Sequence, residues 1–149
     1  MGDLQRVEDG RRVRNLVAVI GRVMQKRSQY KLGAIGLTIG GYDLLSAIGD
    51  EEKMTTTDAK KILQVDHSTI STLLVRLEKS GIVERRRSPD DKRAAFIVAT
   101  EHGKELRQRA DEIMKLEYID LTHRFSPDDL THLVRLLEKA RANVVDDDA

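Results

Sequence analysis

The sequence predicts a mainly helical protein that carries one small β-hairpin. Only two prolines, Pro89 and Pro127, interrupt the 149 residues, which leaves long stretches free to form helices. Apolar side chains recur at three- and four-residue spacing in most of these stretches, as a single buried helix face requires. Between residues 82 and 99 the pattern changes to two short runs around a turn-forming segment, which indicates a hairpin.

Two helices are predicted in the first third of the chain. The first covers about residues 10–31, where the apolar positions at helical spacing are Val13, Leu16, Val17, Ile20, Val23 and Met24. Gly33 and Gly36 end this pattern. Thr38 then offers a side-chain N-cap for a short helix that ends at Gly49-Asp50.

Two further helices follow, separated by a tight turn at Gln64-Val65. Threonines 55–57 precede a helix of about two turns, and a threonine at that place can cap it. Asp66 caps the next helix, which Ser80-Gly81 ends. The apolar positions of this helix follow the i, i+3, i+4, i+7 pattern of one buried face, and they are Ile70, Leu73, Leu74 and Leu77.

The hairpin and two more helices complete the chain. Ile82 to Arg87 and Ala94 to Ala99 are the predicted strands, with the turn formers of residues 88–92 between them. Thr100 begins a long helix that reaches about Arg124. Ser126 and the Pro127-Asp128-Asp129 that follows it mark the last helix start. Its apolar stripe consists of Leu130, Leu133, Val134, Leu137 and Ala140.

Composition excludes several classes of protein. There is no cysteine, which excludes disulfides, cysteine-ligated zinc, iron–sulfur clusters and thiol chemistry in this chain. No apolar run approaches the roughly 18 residues of a membrane span. The polar start of the chain does not resemble a secretory signal, so we expect a cytoplasmic protein with no membrane partner.

The net charge of +1 conceals a segregated charge pattern. Residues 60–93 carry nine basic and five acidic side chains, whereas residues 111–149 carry five basic and ten acidic ones. Segregation of this kind is typical of a protein with an electrostatic partner surface. Charge runs are also common on solvated helix faces, so the pattern alone leaves both interpretations open.

The order of elements indicates DNA recognition. A short helix, a tight turn, a second helix and a basic hairpin form a winged helix-turn-helix layout, and an α-helix fits the major groove of B-DNA. Opposite its buried stripe, the second helix carries hydroxyls and an arginine that can bond phosphates or base edges. The predicted DNA contacts on this helix are Ser68, Thr69, Ser71, Thr72 and Arg76.

The hairpin supplies the second predicted contact surface. Alternation along the strand sends Arg86 to one face and Arg85 and Arg87 to the other. A narrow minor groove favours inserted arginines because it focuses the negative potential of the phosphates. Asp91 lies two residues before Arg93 and can position its guanidinium by a fork-like pair. The predicted DNA contacts of the hairpin are Arg86, Arg87, Lys92 and Arg93.

Residues 66–103 resemble the signature of the MarR family of transcription regulators. The matching residues are Ser68-Thr69, Ser71, Leu77-Glu78, Gly81, Arg85, Asp91, Arg93, Thr100 and Gly103. The sequence departs from the family pattern at Ala99, at Thr72 and at the Gln64-Val65 turn, which lacks the common glycine. None of these departures excludes the fold.

The resemblance implies a homodimer with interleaved first and last helices that binds pseudo-palindromic double-stranded DNA. In such proteins the second helix of the motif enters the major groove, and the arginine matching Arg93 reaches the flanking minor groove. It also implies a small phenolic or anionic effector rather than a cofactor. The residues that could line the effector pocket are Arg22, Tyr30, Tyr42 and Tyr118.

We therefore expect two functional regions. Residues 1–36 and 104–149 form a helical dimerisation region, because a lone terminal helix has no partner for its apolar face within one chain. Residues 37–103 form the winged helix-turn-helix that binds DNA. The chain has no phosphate loop, dinucleotide-binding glycine pattern or nucleophile elbow, so we do not expect an enzyme.

The predicted function is a homodimeric transcription regulator that acts as a repressor and is relieved by a small ligand. The first alternative is a winged-helix module that binds protein and not DNA. The second is a metal-responsive regulator, although no two of the four histidines have the i, i+3 or i+4 spacing of ligands on one helix. We therefore predict no metal site.

Overall fold

A computed structural model describes residues 2–49, 54–87 and 95–145. These ranges form six α-helices and a two-stranded antiparallel sheet, which confirms the mainly helical fold with one hairpin. The elements are α1 (Asp3–Gly33), α2 (Ile39–Ile48), α3 (Thr56–Leu63), α4 (His67–Lys79), β1 (Val83–Arg87), β2 (Ala95–Ala99), α5 (Glu101–Thr122) and α6 (Pro127–Ala142).

Side-chain caps fix the starts of five helices. In each, the cap oxygen accepts a hydrogen bond from the backbone N–H three residues further on, which satisfies one of the free N–H groups of the first turn. The capping residues are Thr38, Thr55, Asp66, Thr100 and Ser126. All five helix starts therefore lie where the sequence predicts them.

Helix α1 is longer than the sequence pattern predicts, because it begins at Asp3 and not near residue 10. Leu4 and Val7, which lie in this extension, are 88% and 61% exposed. They do not continue the apolar stripe of the later turns, so hydrophobic periodicity gives no signal for the extension.

The core lies between α2, α3, α4, the hairpin, the end of α1 and α5 as far as Met114. Its apolar side chains come from every one of these elements, so residues 37–103 pack around a core to which both α1 and α5 contribute. The largest fully buried apolar side chains are Leu32, Leu37, Leu44, Leu45, Ile48, Ile70, Leu74, Ile97 and Val83.

The hairpin joins this core at its base. Strand β1 pairs with β2 from Val83 opposite Ala99 to Arg87 opposite Ala95. An additional bridge links Met54 to Ile97, so the chain before α3 also pairs with β2. Residues 88–94, between the two strands in the sequence, lie outside the described residues, and with them the predictions for Asp91, Lys92 and Arg93.

The terminal helices contribute much less to the core of one chain. Helix α6 has no buried residue, and α1 buries only Ser28 and Leu32 over its 31 residues. The exposed apolar side chains of α1 and α6 include Val13, Leu16, Val17, Ile20, Val23, Leu133, Val134 and Leu137. In the part of the chain that the structure describes, no helix has the length and apolar character to cross a membrane.

Candidate nucleic-acid interface

The turn between α3 and α4 sets the direction of α4 relative to α3. Gln64 occupies the left-handed backbone region with φ of 52°. Its side-chain Nε2 donates to the Lys61 carbonyl at 2.8 Å and so satisfies a carbonyl at the end of α3. A non-glycine residue in this region costs about 1–2 kcal/mol, so Gln64 performs the turn that glycine makes at lower cost.

The start of α4 is fixed by the Asp66 carboxylate. It accepts from the Thr69 backbone N–H at 2.7 Å and from the Ser68 hydroxyl at 3.1 Å. The backbone hydrogen bond from Thr69 is the main cause that lowers the pKa of Asp66. Asp66 therefore remains ionised at neutral pH, and the Ser68 hydroxyl has its hydrogen directed to the cap.

The outer face of α4 presents the predicted DNA-binding residues to solvent. Ser68, Thr69, Thr72 and Arg76 are exposed, and Ser71 is half-buried. The opposite face is buried at the four predicted apolar positions, which are Ile70, Leu73, Leu74 and Leu77. The sequence pattern is therefore correct about which face of α4 packs inward.

Arg76 is connected to the start of α2. Its Nη2 donates to the Thr38 hydroxyl oxygen at 3.0 Å, and the same oxygen accepts from the Gly41 backbone N–H at 3.2 Å. To reach a base or a phosphate, the Arg76 guanidinium must exchange the hydroxyl of Thr38 for the DNA. No local sequence pattern predicts this contact, because 38 residues separate the partners.

A cleft of about 470 Å³ lies beside the outer face of α4. Its walls combine an apolar base with hydroxyls, the Arg76 side chain and Asp43, whose pKa is raised by partial burial. The lining residues are Thr38, Gly40, Asp43, Leu63, Val65, Ser68, Thr69, Thr72, Leu73 and Arg76. The cleft therefore shares four residues with the predicted DNA-binding face.

The three consecutive arginines of β1 have different surroundings. Arg85 Nε lies 3.0 Å from Glu78 Oε1 on α4. Arg86 Nε and Nη2 both lie 2.6 Å from Glu84 Oε1. Arg87 is exposed at the end of the strand.

The base of the hairpin is attached to the start of α5. The Thr100 hydroxyl lies 2.6 Å from the Gly81 carbonyl oxygen and 3.1 Å from that of Ile82, and the Thr100 N–H also donates to Ile82. A Cβ on Gly103 would overlap the carbonyl oxygen of Ile82. The Thr100-x-x-Gly103 motif therefore lets the first turn of α5 approach the hairpin backbone closely.

Two of the four predicted effector-pocket residues meet between α2 and α5. The Tyr42 hydroxyl donates to Asp111 Oδ1 at 3.0 Å and lies 3.3 Å from the Tyr118 hydroxyl. Burial, followed by the hydrogen bonds to Tyr118 and Asp111, raises the pKa of Tyr42 well above its ordinary value. Tyr30 is 85% exposed and Arg22 is also exposed, so a pocket formed by all four residues remains a prediction.

The described ranges contain no group of three or more histidine, aspartate or glutamate side chains arranged to hold a metal ion. His123 Nδ1 lies 2.9 Å from the Asp120 backbone carbonyl oxygen, which is a local hydrogen bond at the end of α5. The site that these residues build is thus a polar and basic surface on α4 and β1.

Comparison with known proteins shows which proteins this chain is similar to. A family model described as MarR family matches residues 35–94. The chain is 37% identical over 93 residues to the HTH-type transcriptional regulator SarZ of Staphylococcus saprophyticus. The matched residues cover 62% of this chain and 63% of SarZ. It is 30% identical over 98 residues to the organic hydroperoxide resistance transcriptional regulator of Bacillus subtilis, which covers 66% of this chain and 67% of that protein.

The fold is also shared with solved structures. A mutant MarR of Escherichia coli, complexed with operator DNA, superposes with a TM-score of 0.75 and 24% sequence identity. The superposition covers 85% of this chain and 91% of the other. At this identity the similarity concerns the fold, which includes both the helix-turn-helix and the helices that flank it.

Proposed function

The chain belongs to the MarR family of transcription regulators, and from this premise we propose that it is a homodimeric, sequence-specific binder of double-stranded DNA. We further propose that it acts in the cytoplasm as a repressor that a small ligand relieves. The observation that carries the proposal is the exposed hydroxyl and arginine face of α4, which lies in the same lobe as the arginines of β1.

The chemistry of α4 suits the major groove. Short hydroxyl side chains allow close approach of the helix and can bond phosphates or base edges, while arginine can bond guanine or phosphate. The proposed contacts of α4 are Ser68, Thr69, Ser71, Thr72 and Arg76, and those of the hairpin are Arg86, Arg87, Lys92 and Arg93. The E. coli MarR structure of the same fold was solved with operator DNA, which supports this assignment.

The proposed dimer is supported by the apolar side chains of the terminal helices that are exposed in one chain. Leu133, Val134 and Leu137 on α6 are 37%, 54% and 45% exposed in one chain. A second copy would cover them, and a two-fold dimer would place its two α4 helices about 34–36 Å apart, which is one turn of DNA. That spacing is the reason for proposing a pseudo-palindromic site.

The proposed effector is a small phenolic or anionic molecule. Its location would be near the Tyr42–Tyr118 pair, because this pair lies between α2 of the DNA-binding lobe and α5. A ligand that separates these two elements would change the distance between the reading helices of the dimer. The chain has no cysteine, so oxidation of a thiol in these 149 residues cannot provide the signal.

The experiment that tests DNA binding begins with selection of bound sequences from random duplexes. Fluorescence anisotropy on a selected duplex should then show an affinity that falls steeply with salt concentration, because phosphate contacts release counterions. Thr72→Glu should weaken binding at least about tenfold, because it places a negative charge on the reading face. Gln108→Glu, at an exposed position of α5, is the matched control and should bind like the wild type.

Binding by the wild-type protein decides the DNA-binding proposal. If no duplex pool shows salt-dependent binding by the wild-type protein, the DNA-binding function is wrong, and the alternative of a protein-interaction module gains support. Arg93→Ala extends the test to the hairpin, where an unchanged affinity would refute the proposed minor-groove contact.

A further inference from the structure

We propose that Glu78 and Arg85 form a positioning pair that fixes the hairpin against α4, and that Arg85 makes no contact with DNA. This inference rests on the proposed function, since it assigns a separate role to one arginine of the proposed DNA-binding surface. The pair was visible in the sequence only as two matches to the family pattern, without a role for either residue.

The first support is the direction of the Arg85 side chain. Arg85 lies opposite Ile97 in the sheet, and directly opposed residues of an antiparallel pair point to the same face. Ile97 is 1% exposed, so this face of the hairpin is directed toward the core. Arg85 therefore leaves the strand on this face and reaches α4 at the edge of the core, where its Nε meets Glu78 Oε1 at 3.0 Å and its side chain remains 46% exposed.

The second support is the way in which the hairpin base is held. Thr100 contacts the carbonyls of Gly81 and Ile82, and Gly103 packs against the same backbone. These contacts hold the beginning of the hairpin, and the Met54–Ile97 bridge holds β2 at the position opposite Arg85. Arg85 lies three residues beyond Ile82, or about 10 Å along the strand. On β1, a tie to α4 at that distance adds resistance to a tilt of the hairpin relative to α4.

The third support is the contrast with the neighbouring arginine. Arg86 occupies the opposite face of β1 and pairs with Glu84 on its own strand, two residues away. That pair joins no two elements, and its release would leave the hairpin orientation unchanged. The Glu78–Arg85 pair joins α4 to β1, so its release would let the two proposed DNA-contacting elements move relative to one another.

The positioning role and a direct phosphate contact predict opposite effects of Glu78→Gln. If Arg85 contacted phosphate, Glu78 would compete for it and repel the DNA, so the amide would bind more tightly. For a positioning pair, the amide should weaken binding about fivefold, an effect of about 1 kcal/mol, because the hairpin loses its orientation. Glu84→Gln removes the same charge from the Arg86 pair, and it should bind as tightly as the wild type or more tightly.

The salt dependence of Arg85→Met provides the second measurement. A lost phosphate contact reduces the slope of log K against log salt by about 0.9, whereas a lost positioning contact lowers affinity and leaves the slope nearly unchanged. Arg87→Met, at the exposed end of the same strand, is the comparison variant and should reduce the slope. The exchanged pair Glu78→Arg with Arg85→Glu should recover most of the affinity lost in either single variant.

Each outcome decides the question. Unchanged or tighter binding by Glu78→Gln, a reduced slope for Arg85→Met, or no recovery in a folded exchanged pair would each overturn the positioning role. These results leave DNA binding by the wild type intact, so they do not affect the proposed function. If the wild type itself fails to bind any duplex, both proposals fall, and the wild-type measurement alone reveals it. Circular dichroism of every variant establishes that it is folded before its affinity is interpreted.

Discussion

Residues 37–103, the middle lobe, and the terminal helices α1 and α6 all carry helical apolar stripes, but the burial of these stripes differs widely. In the middle lobe, α2 buries five of its ten residues and α4 buries its whole stripe. In α6, all of the stripe remains at least partly exposed, and no residue is buried. The same sequence pattern therefore leads to packing within the chain in one region and to an unpartnered face in the other.

This difference indicates what each region depends on for stability. Burial of an apolar side chain contributes about 1.5–3 kcal/mol, and in one chain the middle lobe gains this from its own neighbours. The stripe of α6 gains little of it without a partner. The middle lobe therefore obtains its order from intrachain packing, whereas a second copy would cover the exposed stripes of α6 and α1 only in the proposed dimer.

Gly103→Ala should have the largest effect, and it tests the packing of the middle lobe. The added Cβ overlaps the backbone carbonyl of Ile82, which cannot move aside as a flexible side chain can. We expect the free energy of unfolding to fall by about 3 kcal/mol or more, as severe overpacking does. Gly10→Ala is the control, because its Cβ meets nothing within 4 Å and should stabilise α1 slightly. Urea unfolding at neutral pH measures both, and equal stabilities would contradict the close approach.

Leu137→Asp should have the next largest effect, and it tests the unpartnered face of α6. A charge at the centre of a dimer interface should raise the dimer dissociation constant by about 30-fold or more, which corresponds to about 2 kcal/mol. Lys139→Asp places the same side chain on the opposite, polar face of α6 and should leave the dimer intact. Sedimentation equilibrium distinguishes the two variants. A Leu137→Asp protein that remains as dimeric as the wild type would show that α6 lies outside the interface.

Much of this fold could be predicted because its signals are local. Five helix starts follow from a hydroxyl or carboxylate cap and the N–H three residues away. The exposed face of α4 follows from its periodicity, and only the half-buried Ser71 lies less open than the pattern predicts. The Gln64 turn is also local, since Gln64 takes the left-handed backbone conformation typical of glycine and its side chain bonds the Lys61 carbonyl three residues away.

The polar contacts between elements could not be predicted, because they depend on how the helices pack. Tyr42 and Asp111 are 69 residues apart in the sequence, and Arg76 and Thr38 are 38 apart. Lys31 of α1 pairs with Glu117 of α5. The Glu117 side chain is fully buried, although the apolar pattern of α5 does not predict a buried glutamate. Periodicity states which face turns inward, but it does not state which polar group will be found there.

Tyr42→Phe should have the smallest effect, and it examines the boundary where the middle lobe meets α5. At neutral pH the variant loses the hydrogen bond to Asp111, and we expect the free energy of unfolding to fall by about 1 kcal/mol.

The folded protein holds the pKa of Tyr42 well above 10.0, its value in an unfolded chain. Above about pH 10 the unfolded wild type therefore releases a proton that the folded protein keeps, and stability falls as pH rises. The phenylalanine variant lacks this loss, so the stability difference should narrow from pH 10 to pH 11. Tyr118→Phe keeps the Tyr42–Asp111 bond and should retain most of the alkaline loss. Parallel curves for wild type and Tyr42→Phe across this range would show that the tyrosine is not held neutral by its surroundings.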